Sequence, residues 1–300
     1  MQTVQLSEQV SFSRIVHGMW RLREWGMDKQ ELLRLIEECL EMGITTFDHA
    51  DIYGDYSCEA LFGQALREKP ALRSAMQIVT KCGIKLRSAA YPEHLVNHYD
   101  TSKEHIIRSV ENSLRHFGTD YVDTLLIHRP DPFMDPAEVA EAFAQLKQEG
   151  KVLEFGVSNF LPSQMEMLAS YLSMPLVTNQ LEISVMQFEH FEKGTIEKCQ
   201  EKRIAPMAWS PLASGSIFSA STERATRVKN TLEEIKEEIG ADSIDEVMYA
   251  WLLAHPAKMM PIVGSGKIER VRTAAQAVKL TLSRQQWFRI YISSLGHNVP

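Results

Sequence analysis

The stretch GITTFDHADIYGDYSCEALFG, residues 43–63, decides the fold. An apolar, β-branched run at 44–47 ends abruptly in a polar cluster of Asp48, His49, Asp51 and Tyr53, and a helical pattern resumes only past Tyr56. This is a strand running into a loop that carries chemistry. A carboxylate at the end of a buried strand is costly unless paired, so Asp48 demands a cation from elsewhere in the chain. Two other strand ends answer. The run MQIVTK (76–81) ends in Lys81, and YVDTLLIH (121–128) ends in His128.

Outward from that stretch the same couplet of strand and helix repeats. Polar/apolar alternation at 4–15 predicts a hairpin that closes the bottom of a barrel. A strand at 15–19 follows, then a helix capped by Asp28 and stopped at Gly43. Further strands are expected at 44–48, 77–81, 121–128, 153–157, 176–180, 205–209 and 259–263. Helices are expected at 57–67, 102–117 (stopped at Gly118), 136–148, from 162, at 188–202, 223–239, 243–254, 268–277 and 283–294. Eight βα units without a composition break predict an α/β fold in which residues 1–300 form one (β/α)8 TIM barrel, with an N-terminal hairpin and extra helices after strand 7 and at the C-terminus. An open doubly wound sheet would carry G-x-G-x-x-G after its first strand, and none is present.

Composition narrows the function. A net charge of −7 without a dense Lys/Arg run excludes a general nucleic-acid or anionic-membrane surface. The N-terminus lacks a basic region followed by an apolar core, and no run of 18 apolar residues exists, so a cytoplasmic protein is expected. The four cysteines, Cys39, Cys58, Cys82 and Cys199, form no C-x-x-C pair and suit reduced thiols rather than a disulfide frame or zinc site. The expected partner is therefore a small molecule; oligomeric state carries no sequence signature.

Asp48, Tyr53, Lys81 and His128, arriving in that order at or just past strand ends, resemble the catalytic tetrad of the aldo-keto reductase superfamily. The resemblance runs from Gly18 to about Val271. It covers Gly43, Asp48, Ala50, Tyr53, Glu59 and Gly63, with His49 where the family usually has threonine. It continues through Leu114, Asp120, Tyr121, Asp123 and His128 of SVENSLRHFGTDYVDTLLIHRPD, then GKVLEFGVSNF, TNQLE and AWSPLASG. The chemistry fits carbonyl reduction. A lysine ammonium against a phenol favours the phenolate and draws its proton toward neutral-pH chemistry. Asp48 keeps Lys81 charged and aimed, and His128 points a ring N–H at the substrate oxygen while Tyr53 donates the proton.

The resemblance implies NADPH as cofactor. Ser158, Asn159 and Gln180 are expected to hydrogen-bond the nicotinamide carboxamide, Trp209 to stack on its face where the family commonly has tyrosine, and Ser210 and Leu212 to contact the pyrophosphate. In PIVGSGKIER (261–270), the loop Gly264, Ser265 and Gly266 lets backbone approach an anion at a helix start, and Lys267 and Arg270 add charge suited to a 2′-phosphate. Gly264 stands where many family members carry lysine, and Thr273 and Ala274 stand where adenine-contacting side chains are often found. Trp20, Trp25 and Tyr56 are expected to line the substrate pocket, with Arg129 at its mouth. The chain ends soon after its last helix, so the long C-terminal loop that narrows the pocket in many family members is largely missing, which implies an open site.

Two other function classes use the same residues. A metal-dependent barrel hydrolase needs His17, Asp48, His49, Asp51 and His128 to converge. Strand 1 lacks the H-x-H pair such enzymes often use, and Lys81 beside Asp48 repels a divalent cation, so no metal is expected. A dinucleotide-binding regulatory barrel without significant turnover, as in relatives associated with potassium channels, is opposed by an intact tetrad and no partner-binding extension.

Overall fold

The apolar runs fold as short strands that close on themselves. The computed structural model describes residues 1–219 and 222–300. β1 (Thr3–Gln5) and β2 (Ser11–Ser13) form an antiparallel hairpin with Val4 opposite Phe12. β3 (Val16–Gly18), β4 (Thr46–Asp48) and β5 (Gln77–Cys82) lie side by side and parallel. A small antiparallel pair follows, β6 (Ile84–Lys85) with β7 (His98–Tyr99). β8 (Val122–Ile127), β9 (Val152–Ser158), β10 (Asn179–Glu182), β11 (Met207–Trp209) and β12 (Met260–Val263) complete the ring, and β12 pairs back onto β3. Eight parallel strands in a closed ring, with helices outside, make a (β/α)8 barrel.

Helix boundaries follow their caps. Asp28 accepts hydrogen bonds from the backbone of Gln30 and Glu31 and forms a capping box with Glu31 at the start of Lys29–Glu41. Ser102 caps Lys103–Phe117, and Gly118, at φ 71°, ends it in the left-handed region. Gly63 has a different task. A Cβ there would stand 1.9 Å from the His116 carbonyl oxygen, so glycine is what lets Cys58–Glu68 lie against Lys103–Phe117.

The core has two layers around the strands. Inside the barrel, Val16, Val79, Leu126, Met207, Met260 and Ile262 pack with Val4, Val10 and Phe12 of the hairpin segment, which plugs the bottom. Outside it, Phe47, Phe62, Phe117, Phe143 and Phe155 fill the space between strands and helices. With the bottom sealed, polar residues at the strand ends collect at the open top.

Three expectations need correction. The sixth barrel strand runs over Asn179–Glu182 rather than 176–180: Val177 already donates to the Phe155 carbonyl (2.8 Å), but paired residues begin only at Asn179 opposite Val157 on β9 and at Gln180 opposite Met207 on β11. The helix expected at 188–202 is two pieces, Glu189–Glu192 and Thr195–Glu201, separated at Gly194 with φ 70°. Between the strand expected at 77–81 and the helix expected at 102–117, where no element is expected, the chain forms the β6–β7 pair. No helix among the described residues is long and apolar enough to cross a membrane.

Candidate active site

The site is built on Lys81, the last inward-facing residue of β5 and fully buried. Its Nζ donates to both Asp48 carboxylate oxygens (2.8 Å each), to the His49 carbonyl (2.7 Å) and to the Tyr53 hydroxyl (3.0 Å). Four acceptors fully occupy an ammonium with three N–H bonds. Burial pushes Lys81 down, but Asp48 and Tyr53 outweigh it and hold the ammonium above its ordinary value. Asp48 also accepts from Gln180 Nε2 at 2.8 Å, across the barrel from β10.

Tyr53 and His128 face each other edge-on, ring centroids 5.8 Å apart. Burial raises the Tyr53 phenol above its ordinary value, and the pull of Lys81 only partly offsets that. The net direction is therefore upward, opposite to what the ammonium alone predicts. The His128 imidazole is held well below its ordinary value by burial, then by Lys81 and Arg129, so it is neutral. Its Nδ1 is buried with no hydrogen-bond partner.

Asp48, Tyr53 and His128 line a cavity of about 760 Å³, together with Trp20, Arg129, Ser158, Asn159, Gln180, Trp209, Ser210, Leu212, Gly264, Ser265 and Arg270. A second chain of hydrogen bonds runs along one wall. Trp209 Nε1 donates to Asn159 Oδ1 (3.1 Å), Asn159 Nδ2 to Ser158 Oγ (2.8 Å), and Ser158 Oγ to the Gln180 carbonyl (3.1 Å). The Arg129 guanidinium lies 5.7 Å over the Trp209 ring. Asn159, Ser210 and Ser214 hold positive φ (60°, 51° and 53°), backbone strain of the kind that gathers at ligand sites.

Five expected site residues do not line the cavity; one is Lys81, fully buried behind Asp48 and Tyr53. Trp25 stacks on His17 (5.8 Å) and supports the loop from beneath; a Cβ on Gly266 would come within 2.7 Å of it. Gly266 is thereby held against packing, and exposed Lys267 is the N-cap of Ile268–Ala277. The Tyr56 hydroxyl accepts from the Leu86 N–H (2.8 Å) and its ring packs on Tyr91 (4.5 Å), anchoring the loop after β5. Trp20 does line the cavity and is 58% exposed.

The residues a metal site would need point apart. The His17 Nε2–H donates to the Ser265 carbonyl (2.9 Å). His49 is buried between Phe62 and Phe117 (4.5 and 4.9 Å) with both ring nitrogens unpartnered, and Asp51 accepts from Ser109 Oγ (2.7 Å). Among the described residues no three His, Cys, Asp or Glu side chains stand close enough to share an ion. The Cys82 thiol is buried and pushed well up, an inert position.

These buried rings set a pH response. Burial lowers His17 and His105 to about 4, and holds His49 and His128 well below their ordinary value. From about pH 6.5 downward the unfolded chain binds protons that the folded chain refuses, so stability falls as pH drops toward 4. Asp51, pushed by burial and Glu59 to about 8, acts in the opposite sense, as do Asp123, Glu182 and Asp245, which burial also raises, while His190 and His255, lowered by burial, add to the histidine side. The melting temperature is expected to drop between pH 7 and pH 5 in thermal scans; a flat profile would mean that these rings take up protons in the folded state.

The sequence profile of the aldo/keto reductase family matches residues 14–293. The chain belongs to that family. It is 57% identical over its full length, and over the full length of the relative, to the oxidoreductase YcsN of Bacillus subtilis. It is 46% identical, again with both chains fully covered, to a 6-dehydroglucose reductase of Agrobacterium fabrum. A crystal structure of a thermostable aldo-keto reductase bound to the inhibitor epalrestat superposes with a TM-score of 0.82 at 29% identity, covering 98% of this chain and all of that one. The chain is an aldo-keto reductase family oxidoreductase.

The cavity suits the nicotinamide dinucleotides that this family generally uses. Its volume is in the range for a large cofactor plus substrate, Trp209 offers a flat ring, and a Cβ on Gly264 would meet nothing within 4 Å, leaving backbone open to an anion. Cavity residues that sequence reasoning missed include Arg21, Ile84, Phe218, Asp245 and Tyr249. Asp245 and Tyr249 are four apart on one helix, a readable spacing, but only the closed barrel tells which way that face points.

Proposed function

We propose that this chain reduces aldehydes and ketones to alcohols with NADPH, Tyr53 acting as general acid. The observation that carries this is the Tyr53 hydroxyl at the cavity, 3.0 Å from a Lys81 ammonium already fixed on Asp48. A reduced nicotinamide, when bound, supplies the hydride. The chain's own residues do the rest. His128, neutral and unpartnered, donates a ring N–H to the carbonyl oxygen and holds it beside Tyr53. Tyr53 keeps its proton at neutral pH because burial raises its pKa, and Lys81 stabilises the phenolate left once that proton has passed to the substrate. Ser158, Asn159 and Gln180 supply polar contacts for the carboxamide end, Trp209 a stacking face, Ser210 and Leu212 the pyrophosphate wall. Gly264, Ser265 and Arg270 form the phosphate end, with the Lys267 charge at its rim. Trp20 and Arg129 border the substrate, and the site works in the cytoplasm.

The test is consumption of NADPH, one equivalent per carbonyl reduced, across aldehydes, ketones, quinones and carbonyl sugars. The last class enters because of the 6-dehydroglucose reductase relative. Absence of consumption across the panel, with NADPH bound, would favour a regulatory barrel instead. Arg270 donates its backbone N–H to the Lys267 carbonyl (3.1 Å), but its guanidinium makes no hydrogen bond or ion pair among the described residues, so its charge is available at the cavity. Arg270→Ala should weaken NADPH binding roughly 10–100-fold, the scale of one charge-assisted contact, and NADH binding far less. Equal losses for both would remove Arg270 from the 2′-phosphate.

A further inference from the structure

The cavity's phosphate end is walled by two helices, and one brings an acid. Helix Ile244–Leu253 buries most of its length in the core, but Asp245 and Tyr249, one turn apart, face the cavity, as does Arg270 of Ile268–Ala277. Asp245 and Arg270 feel each other's charge, yet no ion pair or hydrogen bond joins them. A half-buried carboxylate and a nearby guanidinium ordinarily close into a forked pair. Held apart, they leave room for a polar group of a ligand between them. The positions where the family resemblance puts adenine contacts are otherwise engaged: Ala274 is buried in the core, and Thr273 Oγ1 donates to the Glu269 carbonyl (3.1 Å). This end of the cavity is read by different residues.

Resting on the dinucleotide reading above, we propose that Asp245 sets the cofactor selectivity of this chain, its carboxylate accepting hydrogen bonds from the adenosine ribose hydroxyls so that NADH is held alongside NADPH. A neutral diol between Asp245 and Arg270 donates to one and accepts from the other. A 2′-phosphate gains Arg270 but meets Asp245 as a like charge, so the acid narrows the preference that the arginine creates. Burial lifts the Asp245 carboxyl above its ordinary value while Arg270 draws it down, as suits an acid beside a base without a closed pair.

The test is equilibrium binding, read by quenching of protein fluorescence, of NADPH and NADH to the parent, Asp245→Asn and Asp245→Ala. The nicotinamide-free probes 2′,5′-ADP and 5′-AMP, titrated by calorimetry, read the same end alone. The parent should bind both dinucleotides. Both variants should shift the affinity ratio toward NADPH by about tenfold, the scale of one like-charge contact at short range, and tighten 2′,5′-ADP relative to 5′-AMP. An unchanged ratio in both variants, with the parent still binding NADPH, would overturn the role of Asp245 and leave the cofactor reading standing. A parent that binds neither dinucleotide would overturn both.

Discussion

Tyr53→Phe is expected to fold normally, to bind NADPH within about threefold of the parent, and to turn over carbonyl substrates roughly 100-fold or more slowly. Phenylalanine keeps the ring and its edge-on contact with His128, so the wall of the cavity is retained. Lys81 loses one of four acceptors and keeps Asp48 and the His49 carbonyl, so the loss of stability is small. The proton is lost entirely. A general acid acts only as charge develops on the substrate oxygen, so its removal falls on turnover rather than on ground-state binding. Steady-state kinetics with the best aldehyde of the panel, beside NADPH titration, measure both. Near-normal turnover would mean that the proton comes from another group, and the tetrad reading would lose its centre.

Much of this site was legible because strand ends mark themselves. Ile44, Phe47 and the runs before Lys81 and His128 are apolar and β-branched until the barrel top, where the sequence turns polar within one residue. The eight strands could be counted for the same reason. Two of the family's motif positions proved to be scaffold instead. Asp123 accepts from Arg73 and from the Ile78 N–H (2.8 Å each), and Glu59 accepts from Thr80 Oγ1 (2.6 Å), so these residues fasten strands and helices rather than line the cavity.

What the sequence withheld depends on closure. Gln180 and Asp48 lie on β10 and β4, four strands apart either way around the ring, so their hydrogen bond crosses the barrel and no spacing along the chain announces it. The direction of the Tyr53 shift depends on closure too: proximity of Lys81 is readable in a motif, but the burial that outweighs it is a property of the finished packing. Trp25 and Tyr56 illustrate a third limit. An aromatic near a strand end serves equally well to line a pocket or to support a loop, and here both support loops.

Lys81→Met separates the chemical role of the pair from its structural one. The variant should be slow, because an unassisted phenol raised by burial is a poor acid and its phenolate has no cation beside it. Unlike Tyr53→Phe, it should also be less stable, by about 3–5 kcal/mol, because Asp48 is left in a buried site without its cation and with Gln180 as its remaining side-chain partner. Thermal melts and turnover together give this contrast. Adding Asp48→Leu to Lys81→Met removes the stranded charge, so the double variant should recover much of the melting temperature, since apolar replacement of a whole buried pair is often close to neutral. It should recover none of the turnover. Restored stability without activity would assign Lys81 both tasks. A Lys81→Met protein that lost stability but kept full turnover would make the lysine a fastening of the barrel alone, with Tyr53 needing no cation to give up its proton.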